Sequence, residues 1–186
     1  MSPALGWRYA VKWGSVVYQR LQPDGRPRMP RKYWLMKTEP TEYAIDDLAS
    51  APGGVDHWDG VRNYQARNMM RDEMQVGDGV LLYHSGKQPA VVGTAEIARS
   101  GYPDHTAWDP ENKHYDPRST PEKPVWYMVD VRLLTQFDRP LPLSRLRQVE
   151  DLSNMMLLRR GMRLSVQPVT PAEYRMVLKL AGQQTG

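Results

Sequence analysis

An α+β fold built on a small barrel of mixed or antiparallel strands, with helices inserted between them, is what this chain predicts. Its 186 residues suit one domain with a tail, long enough to bury a real core. Five or six short apolar runs read as strands. The helical patterns between them lack regular βαβ alternation, which argues against a Rossmann-type sheet.

The first 32 residues scatter aromatics (Trp7, Tyr9, Trp13, Tyr18) and end in Gln22-Pro23-Asp24-Gly25-Arg26-Pro27-Arg28-Met29-Pro30-Arg31, a proline-broken basic linker. This N-terminal extension is expected to have little fold of its own. It reads as a docked strand or helix, as a basic arm that tracks phosphates, or as an upstream extension of a chain whose true start is Met29. The domain proper is expected over 33–182. Tyr33-Trp34-Leu35-Met36-Lys37-Thr38, ended by Glu39-Pro40, is a buried strand leading to a turn. Ile45 to Ala49 can form a short helix that Ala51-Pro52-Gly53-Gly54 stops. With Asn63 as N-cap, Ala66, Met69, Met70 and Met74 make one apolar stripe of a helix that turns Arg67 and Arg71 outward.

Gly77-Asp78-Gly79 is a turn, and Val80 to Ser85 with Ala90 to Ile97 form a hairpin. So much Pro and Asp over 101–124 means a long irregular loop, of a kind that is functional or mobile. Val125 to Leu133 alternates as a long strand with one polar face, which Pro140 and Pro142 break. Short helical stretches follow from Leu143 to Val149 and on to Leu158, and Leu164 to Val169 is a closing strand. Thr170-Pro171-Ala172-Glu173 is a capping box for a last helix whose apolar face is Tyr174, Val177, Leu178 and Ala181.

Charge narrows the function classes. The chain carries +4, but residues 1–32 alone hold seven basic side chains against Asp24, leaving −2 for the remainder. Nucleic-acid binding by the domain therefore needs a local patch or a specific pocket, since bulk charge does not supply it. Six Trp, ten Tyr and eleven Met against one Phe favour large side chains that serve pockets as well as cores. The absence of Cys excludes disulfides, thiolate zinc sites and Cys nucleophiles. No run of 18 apolar residues and no secretory h-region is present, so the expected setting is cytoplasmic, nucleoid association included, with no membrane partner and no secretion.

The densest stretch is Trp58-Asp59-Gly60-Val61-Arg62-Asn63-Tyr64-Gln65-Ala66-Arg67-Asn68, where a ring, a tight turn and planar donors sit within eleven residues. Catalytic constellations are thin. There is no Gly-rich phosphate loop, Gly-x-Ser-x-Gly elbow or His-Glu-x-x-His helix, and His84 beside Ser85 on a strand points to the opposite face. His105 and His114 with Asp104, Asp109 and Asp116 match no standard metal spacing, so loop capping by Asx side chains is expected there. No catalytic residue, metal or cofactor is expected.

Binding chemistry does better. Trp34 and Trp58 suit the sandwiching of a base, although Trp34's neighbours Leu35 and Met36 are core and favour packing for it. Each aromatic stack contributes roughly 1–3 kcal/mol, and extracting a base from a duplex costs a few kcal/mol. Stacking alone thus about breaks even. Lys37, Thr38, Asn63 and Ser85 are candidates for the base edge or sugar. Arg62 suits phosphates, as does the 139–163 region, where Arg139, Arg145, Arg147, Arg159, Arg160 and Arg163 outnumber Glu150 and Asp151.

Five segments together, Tyr33 to Pro40, Trp58 to Asn68, Tyr83-His84-Ser85, Tyr102-Pro103-Asp104 and Arg163 to Pro168, resemble the EVE domain in order and spacing. Thr38 stands where that family usually has Ser. The resemblance runs from about Tyr33 to Ala181. It implies a PUA-like small mixed β-barrel with inserted helices, related to the YTH readers of methylated adenine, and a pocket for a modified base in DNA or RNA. By that analogy the pocket is framed by Trp34, Lys37, Thr38 and Glu39, by Trp58, Gly60, Val61, Arg62 and Asn63, by Tyr83, His84 and Ser85, and by Gln167. From the charge pattern, Arg62, Arg159, Arg160 and Arg163 are expected to meet phosphates. The expectation is a monomeric, non-enzymatic module whose partner is nucleic acid carrying a modified base. The alternatives are an enzyme acting on modified nucleotides, with His84, Asp59 or His105 as base, and a small-molecule or protein-interaction module on the same barrel.

Overall fold

The computed structural model describes residues 7–12, 15–20 and 30–183, in two units that divide between Arg31 and Lys32. In the first unit β1 (Trp7–Lys12) and β2 (Ser15–Arg20) pair as an antiparallel hairpin. The extension expected to lack a fold of its own thus carries one regular element. Most of the proline-broken linker, Met29 included, lies outside the described residues.

The second unit is α+β. Along the chain come β3 (Tyr33–Thr38), α1 (Ile45–Ser50), β4 (Val55–Trp58), α2 (Tyr64–Asn68), β5 (Gly79–His84), β6 (Ala90–Pro103), β7 (Tyr127–Pro142), α3 (Leu143–Leu146), β8 (Val166–Val169) and α4 (Pro171–Leu180). Six of these strands form one mixed sheet in the order β4-β7-β6-β5-β3-β8, parallel only between β3 and β5. Among the described residues no ladder joins the edge strands β4 and β8, so the sheet is open where a closed barrel was expected. The two edges still share one core: Trp58 from β4 and Val166 from β8 belong to the same buried cluster as Trp34, Met36, Val80 and Val131.

The period of two along β3 divides the core into two layers. Trp34 and Met36 enter the cluster just named, whereas Leu35 joins Leu81, Val91, Leu146, Tyr174 and Val177 in a second cluster on the other face, where α3 and α4 pack. The last helix opens with the expected reciprocal cap. The Thr170 hydroxyl accepts from the Glu173 N–H at 3.2 Å, and the Glu173 carboxylate accepts from the Thr170 N–H at 2.7 Å.

Two elements differ from expectation. β7 passes Pro140 and ends at Pro142, opposite the first residue of β6, and its ladder with β6 shifts register between Val91 and Gly93. Strand ends and irregular pairings are where a missing N–H costs least. The helix after Asn63 is α-helical only to Asn68 and continues as one π-type turn, Met69–Glu73, closed by the Met74 N–H on the Met69 carbonyl at 3.0 Å. That wide turn keeps Met69, Met70 and Met74 buried. It also passes close to β6 at Gly101, where a Cβ would come 2.5 Å from the Met70 carbonyl oxygen. Among the described residues no helix is long and apolar enough to cross a membrane.

Candidate nucleic-acid interface

The parallel strands β3 and β5 end side by side, with Thr38 opposite His84. Beyond them the chain folds back: the Glu39 carbonyl accepts the N–H groups of Glu42 and Tyr43, both at 2.9 Å, and the Thr38 hydroxyl donates to the Tyr43 carbonyl at 2.9 Å. Ser85 ties the two strand ends together. Its N–H donates to the Thr38 carbonyl at 2.8 Å and its hydroxyl to the Glu39 carboxylate at 2.8 Å. A cleft of about 730 Å³ lies between this turn, the segment from Asp56 to Arg62, the segment from Glu111 to His114, and Ser165.

One wall of the cleft is aromatic. Trp58 is 8% exposed and meets the Tyr43 ring edge-on at 6.1 Å between centroids. The Tyr43 hydroxyl donates to the Asp56 carboxylate at 2.8 Å; burial first, then that bond and charge, hold the phenol above its ordinary range. The floor is a turn that only glycine fits well. Gly60 has φ +70°, and a Cβ there would come 2.6 Å from the His114 ring.

Asp104 fixes this turn from beneath. Its carboxylate, fully buried, accepts from the Gly60 N–H at 3.2 Å, from Arg62 Nη1 at 2.7 Å, and from the Thr106 N–H and hydroxyl at 3.0 and 2.6 Å. Burial alone would raise its pKa; the bonds from Thr106, Arg62 and Gly60 together with the Arg62 charge leave it below the ordinary carboxylate value. Arg62 also donates through Nε and Nη2 to the His114 carbonyl and through Nη1 to the Val61 carbonyl, and lies 5.4 Å from the Trp126 ring centroid. The irregular loop over 104–126 is therefore stitched to the cleft floor. Its Asx side chains cap turns as expected: Asp109 accepts from the Glu111 N–H and Asn112 from the His114 N–H.

Of the residues read from the sequence, Lys37, Thr38, Glu39, Trp58, Gly60, Val61 and Arg62 line this one cleft. The others lie elsewhere. Trp34 is 2% exposed, buried in the core, and its indole N–H donates to Asp78 at 2.9 Å, so no face of it is open to a base. Asn63 caps α2, its side chain accepting the Ala66 N–H at 3.0 Å. Arg62, expected to meet phosphates, lines the cleft with its guanidinium bonded to Asp104 and the His114 carbonyl. Gln167 is 1% exposed; it pairs in register with Leu35, on the face away from the cleft, and donates to the Leu164 carbonyl at 2.8 Å.

His84 and Ser85 line a neighbouring, largely apolar cleft of about 1040 Å³ with Pro40, Pro89, Pro142 and Leu143, which shares Glu39 with the first. There His84 Nε2 accepts from the Ile45 N–H at 3.1 Å, and burial lowers the imidazole pKa. Sequence reasoning missed Tyr43, Asp56, His57, Asn112, Lys113 and Ser165, all on the cleft. The pairing of Tyr43 with Asp56 leaves no local signal. Asn112 to His114 sits in the loop already marked by its length.

A basic groove of about 510 Å³ adjoins the cleft, lined by Lys37, Tyr83, Leu143, Arg147, Leu157, Leu158 and the segment from Arg159 to Arg163. Lys37 lines both cavities. Its ammonium donates to the Met162 carbonyl at 3.2 Å and sits 5.9 Å from the Tyr83 ring centroid, and burial lowers its pKa. Tyr83 is itself buried, in the layer behind β3, and meets this groove and not the base-sized cleft.

The chain belongs to the EVE domain family, whose model matches residues 32–180. The resemblance read from Tyr33 onward is thereby borne out. Human thymocyte nuclear protein 1 is 40% identical over 166 residues, covering 80% of this chain and 73% of that protein. The crystal structure of that human protein in complex with 5-methylcytosine-containing DNA superposes with a TM-score of 0.76 at 40% identity, over 83% of this chain and 99% of that one. A hypothetical protein from Leishmania major matches with a TM-score of 0.78 at 46% identity over 82% and 96% of the two chains. A Pseudomonas putida protein matches with 0.76 at 47% over 80% and 99%.

Proposed function

We propose that this chain is a binding module, without catalysis, that takes a modified base of nucleic acid into the cleft beside Trp58, and that the base is a 5-methylated cytosine in DNA. The observation that carries the reading is the lining of the cleft, which brings Trp58, Tyr43 and Val61 together with several carboxylates. Carboxylates are the acceptors suited to the exocyclic amine of cytosine, and an apolar wall suits a methyl group. Asp59 is the carboxylate best fitted to this contact. It lines the cleft next to Trp58, and among the described residues its side chain, like that of Glu111, makes no hydrogen bond, whereas Glu39, Glu42 and Asp56 are engaged by Ser85, Lys113 and Tyr43. The human relative crystallised with 5-methylcytosine-containing DNA supports the same ligand class.

Five carboxylates line the cleft against three lysine and arginine cations. Such a cleft disfavours phosphate, so the base enters it extruded from its neighbours. The test is a titration of short DNA carrying cytosine or 5-methylcytosine, single-stranded and duplex, by fluorescence anisotropy at one salt concentration, with RNA of the same sequence as a parallel arm. The methylated DNA should bind more tightly. Asp59→Ala should cost about 1–3 kcal/mol by leaving the amine unpaired. Equal affinity for methylated and unmethylated strands, unaltered by Asp59→Ala, would sink the reading.

A further inference from the structure

We infer that the arginine groove is the track for the phosphodiester backbone of the same strand whose base enters the cleft, with Lys37 at the junction; this rests on the base-binding reading above. Three observations converge. The first is a contrast among the arginines. Arg62, Arg71, Arg118 and Arg132 each hold a carboxylate, at 2.7 to 2.9 Å. Arg147, Arg159, Arg160 and Arg163 are exposed and, like Arg139, Arg145 and Arg175 elsewhere, have no carboxylate partner among the described residues, and these four line one cavity. Four exposed guanidiniums without an acid beside them leave positive charge that an external anion can neutralise.

The second is convergence. Arg147 comes from the end of α3. Arg159, Arg160 and Arg163 come from a turn some dozen residues further on, closed by the Met162 N–H on the Arg159 carbonyl at 3.3 Å, with Gly161 at φ +76°. Side chains from two separate segments meet over one groove, which an ordinary solvated helix face does not produce. The third is continuity: Lys37 lines groove and cleft alike. A strand with its base among the carboxylates therefore places its backbone beside the one cation that both cavities share. Phosphate is favoured on one side of Lys37 and disfavoured on the other, which fixes which part of a nucleotide goes where.

The experiment is the salt dependence of binding by the full chain to methylated and unmethylated single-stranded DNA. Each phosphate contact contributes a slope of about −0.7 in log K against log salt. The triple substitution R147A/R159A/R160A should flatten that slope by about 2, corresponding on the order of 100-fold weaker binding at 0.1 M salt. The ratio of methylated to unmethylated affinity should stay unchanged. The triple Arg→Lys variant should keep the slope, which a merely structural role for these side chains would not require. A slope unaltered in the alanine variant, with the methyl preference intact, overturns the groove and leaves the base reading standing. A flattened slope with no methyl preference in any variant upholds the groove and removes the base reading.

Discussion

The cleft and the groove meet at Lys37, yet they are built on opposite principles. Around the cleft, apart from Asp59 and Glu111, polar groups are held by internal bonds: Thr38 with Tyr43, Glu39 with Ser85, Tyr43 with Asp56, and, beneath the floor, Asp104 with Gly60, Arg62 and Thr106. In the groove the guanidiniums of Arg147, Arg159, Arg160 and Arg163 have no carboxylate partner among the described residues. Backbone contacts position a strand and base contacts specify it; on the reading proposed above, the two duties fall to neighbouring surfaces, one held in shape by internal bonds and one carrying unspent charge.

The largest way to break this division is at Asp104. Its carboxylate is fully buried beneath the cleft floor and Arg62 is 24% exposed, so Asp104→Ala strands a largely buried guanidinium and the N–H groups of Gly60 and Thr106. Removing one partner of a buried pair costs about 3–5 kcal/mol. Urea denaturation should show that loss. In the protein that stays folded, the preference for methylated DNA should fall while the salt slope persists, because Asp104 touches nothing in the groove.

Gly60→Ala is the smaller, more local version. A left-handed residue with a Cβ at 2.6 Å from the His114 ring costs about 1–3 kcal/mol. It should displace His114 into the cleft, weakening base binding more than stability. Chemical-shift changes confined to residues away from 57–62 and 111–114 would contradict the role given to this turn.

Much of this arrangement is legible along the chain. The strand from Tyr33 to Thr38, the hairpin after Gly79, the Asn63 cap and the Thr170 capping box all follow from patterns a few residues long, and they are where the structure has them. What is not legible is set by partners far apart. Arg62 reads as a phosphate ligand until Asp104, 42 positions on, is found against it. Trp34 reads as a stacking ring until strand parity puts it in the same layer as Met36, capped by Asp78. Gln167 fails by the same parity, since its register with Leu35 commits it to the far layer. The open sheet is likewise a long-range outcome: whether β4 pairs with β8 depends on curvature accumulated over the 14 and 16 residues of β6 and β7, with their several register shifts.

The smallest predicted effect is the sharpest test of the separation. A methyl group buried against Trp58 and Val61 contributes about 0.8 kcal/mol, or roughly fourfold in affinity. Because the methyl carries no charge, its contribution belongs to the cleft alone. The affinity ratio of 5-methylcytosine to cytosine strands should therefore stay near fourfold from low to high salt, even as both affinities fall along the slope set by the groove. A preference well above tenfold would mean that cytosine leaves a buried donor or acceptor, Asp59 first among them, without its partner. A ratio that shrinks with salt would mean that the methyl alters how the backbone sits on the arginines, and the two surfaces would then act as one.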